Sequence, residues 1–472
     1  MSRSIRRCCL VLLLVTAVVG AFASPMASVS AVAPSPAVAA VSVLVPARGG
    51  EPAPVVSPGQ MPGILTLREQ NAFYNNSLKI RLEQIVPELM REQGIDMWLV
   101  ICRENNEDPV YFSLVPFTSL YASRLQILVF FDRGGTQGVE RFSANLRQMG
   151  TWYTSVWDAS KTDQWTGLAQ AIKARNPKVI GIDESEMDNY GDGLTASLKA
   201  SLVAAIGPEY ARRLKSAERL AVRLLERRTP EELEIYPQIV ATAHAIIAEG
   251  FSNQVITPGA TTTEDVVWWM RERSRQLGFT NWFQPSVSIQ RPKDSPHKDS
   301  TVIHRGDLLH CDFGIVHVKL CTDTQQQAYV LKDEETDAPK GLKDALALGN
   351  RLQDIHMEEL RVGRTGNQVL AAALTRAKAE GLRPSIYSHP LGVHGHAAGA
   401  PVGLVDRQDG VPGDGDYPFF ADTVHSIELS NRATVPEWGN QEVSIALEQD
   451  AVLTPTGARF LDRRQTTLHL IK

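Results

Sequence analysis

From Arg68 to Gln93 the apolar residues Leu78, Leu82, Ile85, Leu89 and Met90 recur at helical spacing, and Gly94 follows as a stop signal. The stretch predicts a helix with one buried face. Met97-Trp98-Leu99-Val100-Ile101 is a continuous apolar run of strand length. Leu125 to Phe131 is another, and it runs into the turn sequence Asp132-Arg133-Gly134-Gly135. A further strand is predicted over Lys178–Asp183, after a helical stretch around Leu168 to Ala174. Strands alternating with helices predict an α/β domain, which we end near residue 215.

The pattern changes from Ser216. A charged helix with Ala217, Leu220, Leu224 and Leu225 on one side leads to Arg228-Thr-Pro-Glu-Glu-Leu233. There Thr229 is suited to cap a helix, Pro230 to occupy its first position, and Glu232 to complete a capping box. That helix is expected to reach about Gly250. Thr257-Pro258-Gly259 reads as a turn, a third helix starts near Thr263, and strands follow from Ser286 onward. The expected class is α+β, with an α/β domain over residues 63–215 and a second domain over 216–472.

The N-terminus belongs to neither domain. Arg3, Arg6 and Arg7 precede an apolar run from Cys8 to Ala23 that ends in Ala21-Phe22-Ala23. A basic start, a short apolar core and small residues at the end predict a cleavable export signal, with a single membrane anchor as the alternative. The dipeptide Arg6-Arg7 is compatible with twin-arginine as well as general export. Residues 24–62, rich in Ala, Val, Pro and Ser, read as a linker. The expected location is therefore the periplasm or the exterior, with no stable membrane insertion after cleavage. Loss of three arginines and no acids would take the formal charge from −5 to about −8. No concentrated basic surface exists to hold nucleic-acid phosphates, so such a partner is not expected. With Cys8 and Cys9 in the signal, Cys102, Cys311 and Cys321 remain. Strand alternation sets Cys311 and Cys321 on unlike faces relative to Asp312 and Asp323, which predicts free buried thiols.

All eleven histidines lie between His244 and His469, so the candidate chemistry falls in the second domain. Asp312 sits in the apolar strand Leu308-Leu-His-Cys-Asp-Phe313, and Asp323 follows eleven residues on. A hairpin turning through Gly314 to Lys319 would bring both carboxylates to one point. They would then repel each other unless a cation held them. Taken alone, the pair fits two turn-capping aspartates equally well. Ser388-His389-Pro-Leu-Gly-Val-His394-Gly-His396 is a histidine- and glycine-rich loop. Glu428 and Glu448 each interrupt an apolar, strand-like run, where an uncompensated carboxylate is costly. Each alone fits a strand edge too. Oxygen ligands with imidazole suit manganese, zinc, cobalt or iron.

Taken together, Asp312, Asp323, His389, Glu428 and Glu448 resemble the ligand series of the family that includes methionine aminopeptidase, Xaa-Pro aminopeptidase, prolidase and creatinase. The resemblance is strongest over residues 216–472. It implies a pita-bread metallopeptidase domain behind a creatinase-like N-terminal domain. It further implies two divalent metal ions, manganese foremost with zinc or cobalt possible, with Asp312 and Glu448 shared between them and His389 on one. His396 would contact substrate and assist proton movement, and His297 matches an upstream catalytic histidine with a spacing about two residues short. The implied activity is removal of an N-terminal residue from a peptide with proline second. By family analogy the protein would form a homo-oligomer. The chain departs from the family at Gln325 and Gln326, where Thr and Arg are usual, at Leu429-Ser430 for Pro-Gly, and at Ala446 for Arg. These departures bear on proline specificity more than on metal binding. They keep open a non-peptidase hydrolase or lyase on the same scaffold, and a silent peptide-binding module.

Overall fold

In the computed structural model the described residues are 64–472; the export signal and the linker expected at the N-terminus lie outside them. Thr66 opens the first helix through a capping box with Glu69. The helix predicted as one piece is three: Leu67–Ile80, a widened π-helical turn over Arg81–Ile85, and Val86–Gln93. In the wide turn the Val86 N–H bonds back to the Arg81 carbonyl, five residues earlier. Pro87, next in line, has no N–H to continue the tighter ladder. Leu78, Leu82, Ile85, Leu89 and Met90 are all buried, and Gly94 ends the run with φ of 62°.

The six strands that follow are β1 (Met97–Arg103), β2 (Leu125–Asp132), β3 (Val139–Ser143), β4 (Thr154–Ser155), β5 (Ile180–Ile182) and β6 (Leu214–Ser216). They form one sheet in the order β4-β3-β2-β1-β5-β6, antiparallel where β1, β2 and β3 meet and parallel across β1, β5 and β6. Trp98 and Val100 face the first helices. Met97, Leu99 and Ile101 face the helices Gln164–Arg175 and Ala196–Ala211. Covering both faces explains why β1 is apolar from Met97 through Cys102 rather than alternating. One polar cluster interrupts this core. The indole N–H of Trp98 donates to Asp183 Oδ1 at 2.7 Å, and the Asp183 carboxyl neighbours that of Asp108. Both carboxyl groups are buried at 1% exposure or less.

The remaining strands are β7 (Ser286–Gln290), β8 (Leu308–Phe313), β9 (Val316–His317), β10 (Leu320–Cys321), β11 (Thr324–Val330), β12 (Pro384–Ile386), β13 (His389–Leu391), β14 (Thr423–Ser426), β15 (Leu429–Val435), β16 (Gln441–Leu447), β17 (Asp450–Thr454), β18 (Gly457–Phe460) and β19 (His469–Ile471). Three larger sheets result, in the orders β19-β11-β8-β7, β12-β15-β16 and β13-β14-β17-β18. The helix Pro230–Gly250, capped by Thr229 and Glu232 as expected, packs with Thr263–Gln276 against the first sheet. The helices Lys340–Glu359 and Gly366–Ala379 cover the second. The sheets meet at a seam where Gln325 N–H donates to the Glu448 carbonyl at 3.1 Å.

Two features join the first sheet's helices to this second half. Arg81 Nη2 lies 2.7 Å from Glu232 Oε1, and the fully buried Arg228 lies 3.6 Å from Glu232 Oε2, so one carboxylate holds two guanidinium groups in the interior. The second feature is the turn between β9 and β10. Val318 and Lys319 both have positive φ, 47° and 64°, in a two-residue connection whose geometry suits Asn or Gly. Lys319 Nζ stands 4.3 Å from the Tyr74 ring centroid and donates to the Phe112 carbonyl at 3.3 Å. Cys102, Cys311 and Cys321 are free and buried, as expected, although Asp323 lies between β10 and β11, outside the strand that the alternation argument assumed.

Candidate metal centre

The hairpin anticipated between the two aspartates forms. β8 and β11 pair with Asp312 opposite Gln325, and the β9–β10 ribbon carries the chain between them. Asp323 immediately precedes β11, and its N–H is held by both oxygens of Asp450 at 3.2 and 3.3 Å. On the other side of the seam, β13 presents His389 opposite Ser426 of β14. The Ser426 hydroxyl donates to Glu448 Oε1. Glu428 is fixed through its N–H to the Ser388 hydroxyl at 3.1 Å, and its carbonyl accepts from Tyr387 N–H at 3.2 Å.

One ligand atom each of Asp323, His389 and Glu448 lies within 4.8 Å of the others. His389 Nε2 is 3.4 Å from Asp323 Oδ2, 3.5 Å from Glu448 Oε1 and 4.0 Å from Glu428 Oε2. Asp312 joins by a side-chain hydrogen bond to Asp323. Asp323 feels Glu448, Asp312, Glu428 and Asp450 together. It is therefore the member of the cluster with the most carboxylate neighbours.

The cluster is electrostatically costly as it stands. Burial and then Glu448 push the Asp312 carboxyl up to about 7 and that of Glu428 up to about 9. Asp323 and Asp450 are raised well above the carboxylate range by the same two causes in the same order. His389 is drawn both ways: burial disfavours its charge, the Glu448 carboxylate outweighs that, and its pKa is raised. Among the described residues the ion pairs of Asp323, Glu428 and Glu448 are all with His389. Asp312 Oδ1, Asp323 Oδ1 and His389 Nε2 are buried without a hydrogen-bond partner. Orphaned buried oxygens and an imidazole nitrogen pointed at one spot are a donor set for divalent cations.

Beside the cluster opens a cavity of about 380 Å³, with His389, Glu428 and His396 in its wall. Pro390, Ala398, Pro401 and Leu404 make one side apolar, and Met187 to Tyr190, from the loop after β5, close another. Tyr190 donates its hydroxyl to the His396 carbonyl and sets its ring 5.0 Å from that of His394. The exposed His396 ring stands edge-on to those of His389, at 4.7 Å, and Trp282, at 5.2 Å. Trp282 is itself pinned by its N–H to the Thr322 carbonyl, and a Cβ on Gly395 would overlap its ring. Burial, and then the neighbouring His389, lower the His396 pKa.

The structure brings six of the seven expected site residues together. His297 is the exception. It lies in an exposed loop, its ring stacked at 3.6 Å on that of His304, and its contacts stay within that loop. Four residues at the site went unnamed in the sequence reading: Ser426, Asp450, Tyr190 and His310. Asp450 carried a signal, since it stands two residues after Glu448 in an apolar run and shares its facing. Tyr190 carried none, because it arrives from the other half of the chain.

Residues 238–455 match the model of metallopeptidase family M24. This segment is an M24 metallopeptidase domain. All five acidic and imidazole positions of the cluster lie inside the M24 domain. No curated protein matches significantly. Among solved structures, the chain is similar to an X-Pro aminopeptidase from Thermotoga maritima, with TM-score 0.58 and 18% identity over 81% of this chain and 99% of that one. It is also similar to a Xaa-Pro dipeptidase from Bacillus anthracis, with TM-score 0.55 and 16% identity over 84% and 99%. A dipeptidase from Mycobacterium ulcerans gives TM-score 0.54 and 17% identity over 85% and 98%. At these identities the likeness is one of fold. It extends past the M24 domain to the N-terminal sheet, so the architecture is a pita-bread domain preceded by an α/β domain. The match to the M24 metallopeptidase model supports metal-dependent peptide hydrolysis by this domain.

Proposed function

We propose that the protein removes the N-terminal residue from short peptides with proline in second position, after export across the membrane. The carrying observation is the convergence of Asp323, His389 and Glu448 beside a small cavity that has His389, Glu428 and His396 in its wall and one apolar side. Two divalent cations, manganese foremost, would be held by Asp312, Asp323, His389, Glu428 and Glu448. When bound they supply Lewis acidity that polarises a peptide carbonyl and acidifies water.

The chain's own residues do the rest. Asp450 orients Asp323 through its backbone, and Ser426 orients Glu448, so the carboxylates meet their cations without rearrangement. His396, whose pKa burial lowers, stands in the cavity wall to hydrogen-bond substrate, accept the proton released by the attacking water and pass it to the departing amine. Pro390, Pro401 and Leu404 offer a dry surface for a pyrrolidine ring, and Met187 to Tyr190 limit the length that fits. His297 has no part in this reading. The domain division near residue 215 and a homo-oligomeric state belong to the same proposal.

The test is turnover of Xaa-Pro and non-prolyl peptides by the mature protein with Mn²⁺ or Co²⁺, beside Asp323→Ala and His389→Ala. We expect two metal ions per chain, preference for Xaa-Pro, and loss of turnover in both variants. Equal activity in wild type and variants would sink the metal assignment. Two bound metals with no peptide turned over would favour the second reading, a non-peptidase hydrolase or lyase. Gln325 and Gln326, which replace the family's usual Thr and Arg, are the observation that favours it.

A further inference from the structure

Gln325 occupies a position where its amide reaches two of the candidate ligands at once. Its Nε2 lies 2.6 Å from Glu428 Oε1 and 3.0 Å from Glu448 Oε2, so both amide hydrogens have a carboxylate oxygen to meet. Its Oε1 lies 2.8 Å from His310 Nε2. The orientation of this amide follows from its partners. Turned over, it would set its oxygen against two carboxylates and its NH₂ against His310. His310 Nε2 must then be the donor, which leaves Nδ1 to accept from the Ser288 hydroxyl, 3.4 Å away. A neutral relay thus runs from Ser288 of β7 through His310 of β8 and Gln325 of β11 to both glutamates.

The relay decides which oxygens remain for a cation. Glu428 and Glu448 each give one oxygen to the amide; the other two, Glu428 Oε2 and Glu448 Oε1, face His389 Nε2, and Glu448 Oε1 accepts the Ser426 hydroxyl as well. The backbone of Gln325 is also bonded to that of Glu448 across the sheet seam, so the amide cannot drift from its targets. A threonine hydroxyl has a single hydrogen and a shorter reach, and cannot serve both glutamates.

The geometry points to Gln325, oriented by His310, as a positioning residue that presets Glu428 and Glu448 for metal binding. This rests on the metal reading given above. The variants are Gln325→Met, which keeps the side-chain length without donors, and His310→Phe, which frees the amide to turn. Each is titrated with Co²⁺ as purified full-length protein, following heat of binding and the visible absorption of the bound ion, with circular dichroism to show the fold is kept. We expect Q325M to bind Co²⁺ about 10- to 100-fold more weakly with an altered absorption band, and H310F to shift both in the same direction by less. Wild-type affinity and spectrum in a folded Q325M overturn the assignment while leaving the metal site intact. A wild-type protein that takes up no Co²⁺ overturns both readings. If Q325M does not fold, H310F is judged by the same two readouts.

Discussion

The buried pair Asp108 and Asp183 makes stability depend on pH in a way one substitution can expose. Asp108 Oδ1 accepts from Val110 N–H at 3.0 Å, and Asp183 Oδ1 accepts from Trp98. Oδ2 of each is buried with no hydrogen-bond partner, so a proton held between the two carboxyls would satisfy both, and a Cβ on Gly193 would overlap Asp108 Oδ2. Burial pushes Asp108 up to about 6 and Asp183 higher still. In the unfolded chain Asp108 ionises near its ordinary 3.8. Between the two values the unfolded state gives up a proton that the folded state keeps. Stability is therefore lost as pH rises from about 4 to about 6, by roughly 1.4 kcal/mol per pH unit and about 3 kcal/mol in all. Asp108→Asn keeps the bond to Val110 and offers Asp183 an N–H that needs no proton. Denaturant unfolding of wild type and D108N from pH 4.5 to 8.5 should give curves that diverge in favour of D108N up to about pH 6–7 and run parallel above. Taking the difference cancels every group the two proteins share except Asp183, which Asp108 itself perturbs. Parallel curves throughout would refute the shared-proton account.

Two further substitutions probe the site and the junction. Gly395→Ala presses on the Trp282 ring that stands against His396. It should lower turnover more than tenfold and stability by about 1–3 kcal/mol, with metal content unchanged; wild-type turnover would show that this stacking does not set His396. Glu232→Gln preserves the capping geometry but leaves Arg81 and Arg228 buried without a counter-charge. Removing one partner of a buried ion pair costs about 3–5 kcal/mol, so the thermal midpoint should fall by roughly 5–10 °C, and a midpoint within about a degree of wild type would contradict that role.

Much of the fold was legible because periodicity and capping are local. The strand β1, the Thr229–Glu232 box and the hairpin joining Asp312 to Asp323 all follow from residues close in sequence. Carboxylates in apolar runs were informative at Glu428 and Glu448 for the same reason, since their cost is evident without a structure. What escaped was set by distant parts of the chain. Tyr190 enters the cavity wall from the loop after β5, some two hundred residues from His396 in sequence. Gln325 looked like a simple departure from the family because a neutral amide in a strand carries no electrostatic penalty to notice. Its meaning appears only when His310 and the two glutamates surround it. His297 shows the converse error: a residue matched by position in the chain, but held by its loop against His304 instead of the cluster.

The Val318-Lys319 turn bears on the order in which the molecule can be built. Two side-chain-bearing residues in the left-handed region cost about 1–2 kcal/mol each, and one of them is β-branched. The contacts that hold Lys319 in this conformation, to Tyr74 and the Phe112 carbonyl, come from segments synthesised some two hundred residues earlier. On a chain emerging N-terminus first, that docking surface is complete before the turn leaves the ribosome. The α/β half then serves as a mould on which the Asp323 hairpin closes, and a chain begun at residue 216 would have to make the same turn without the contacts that hold Lys319.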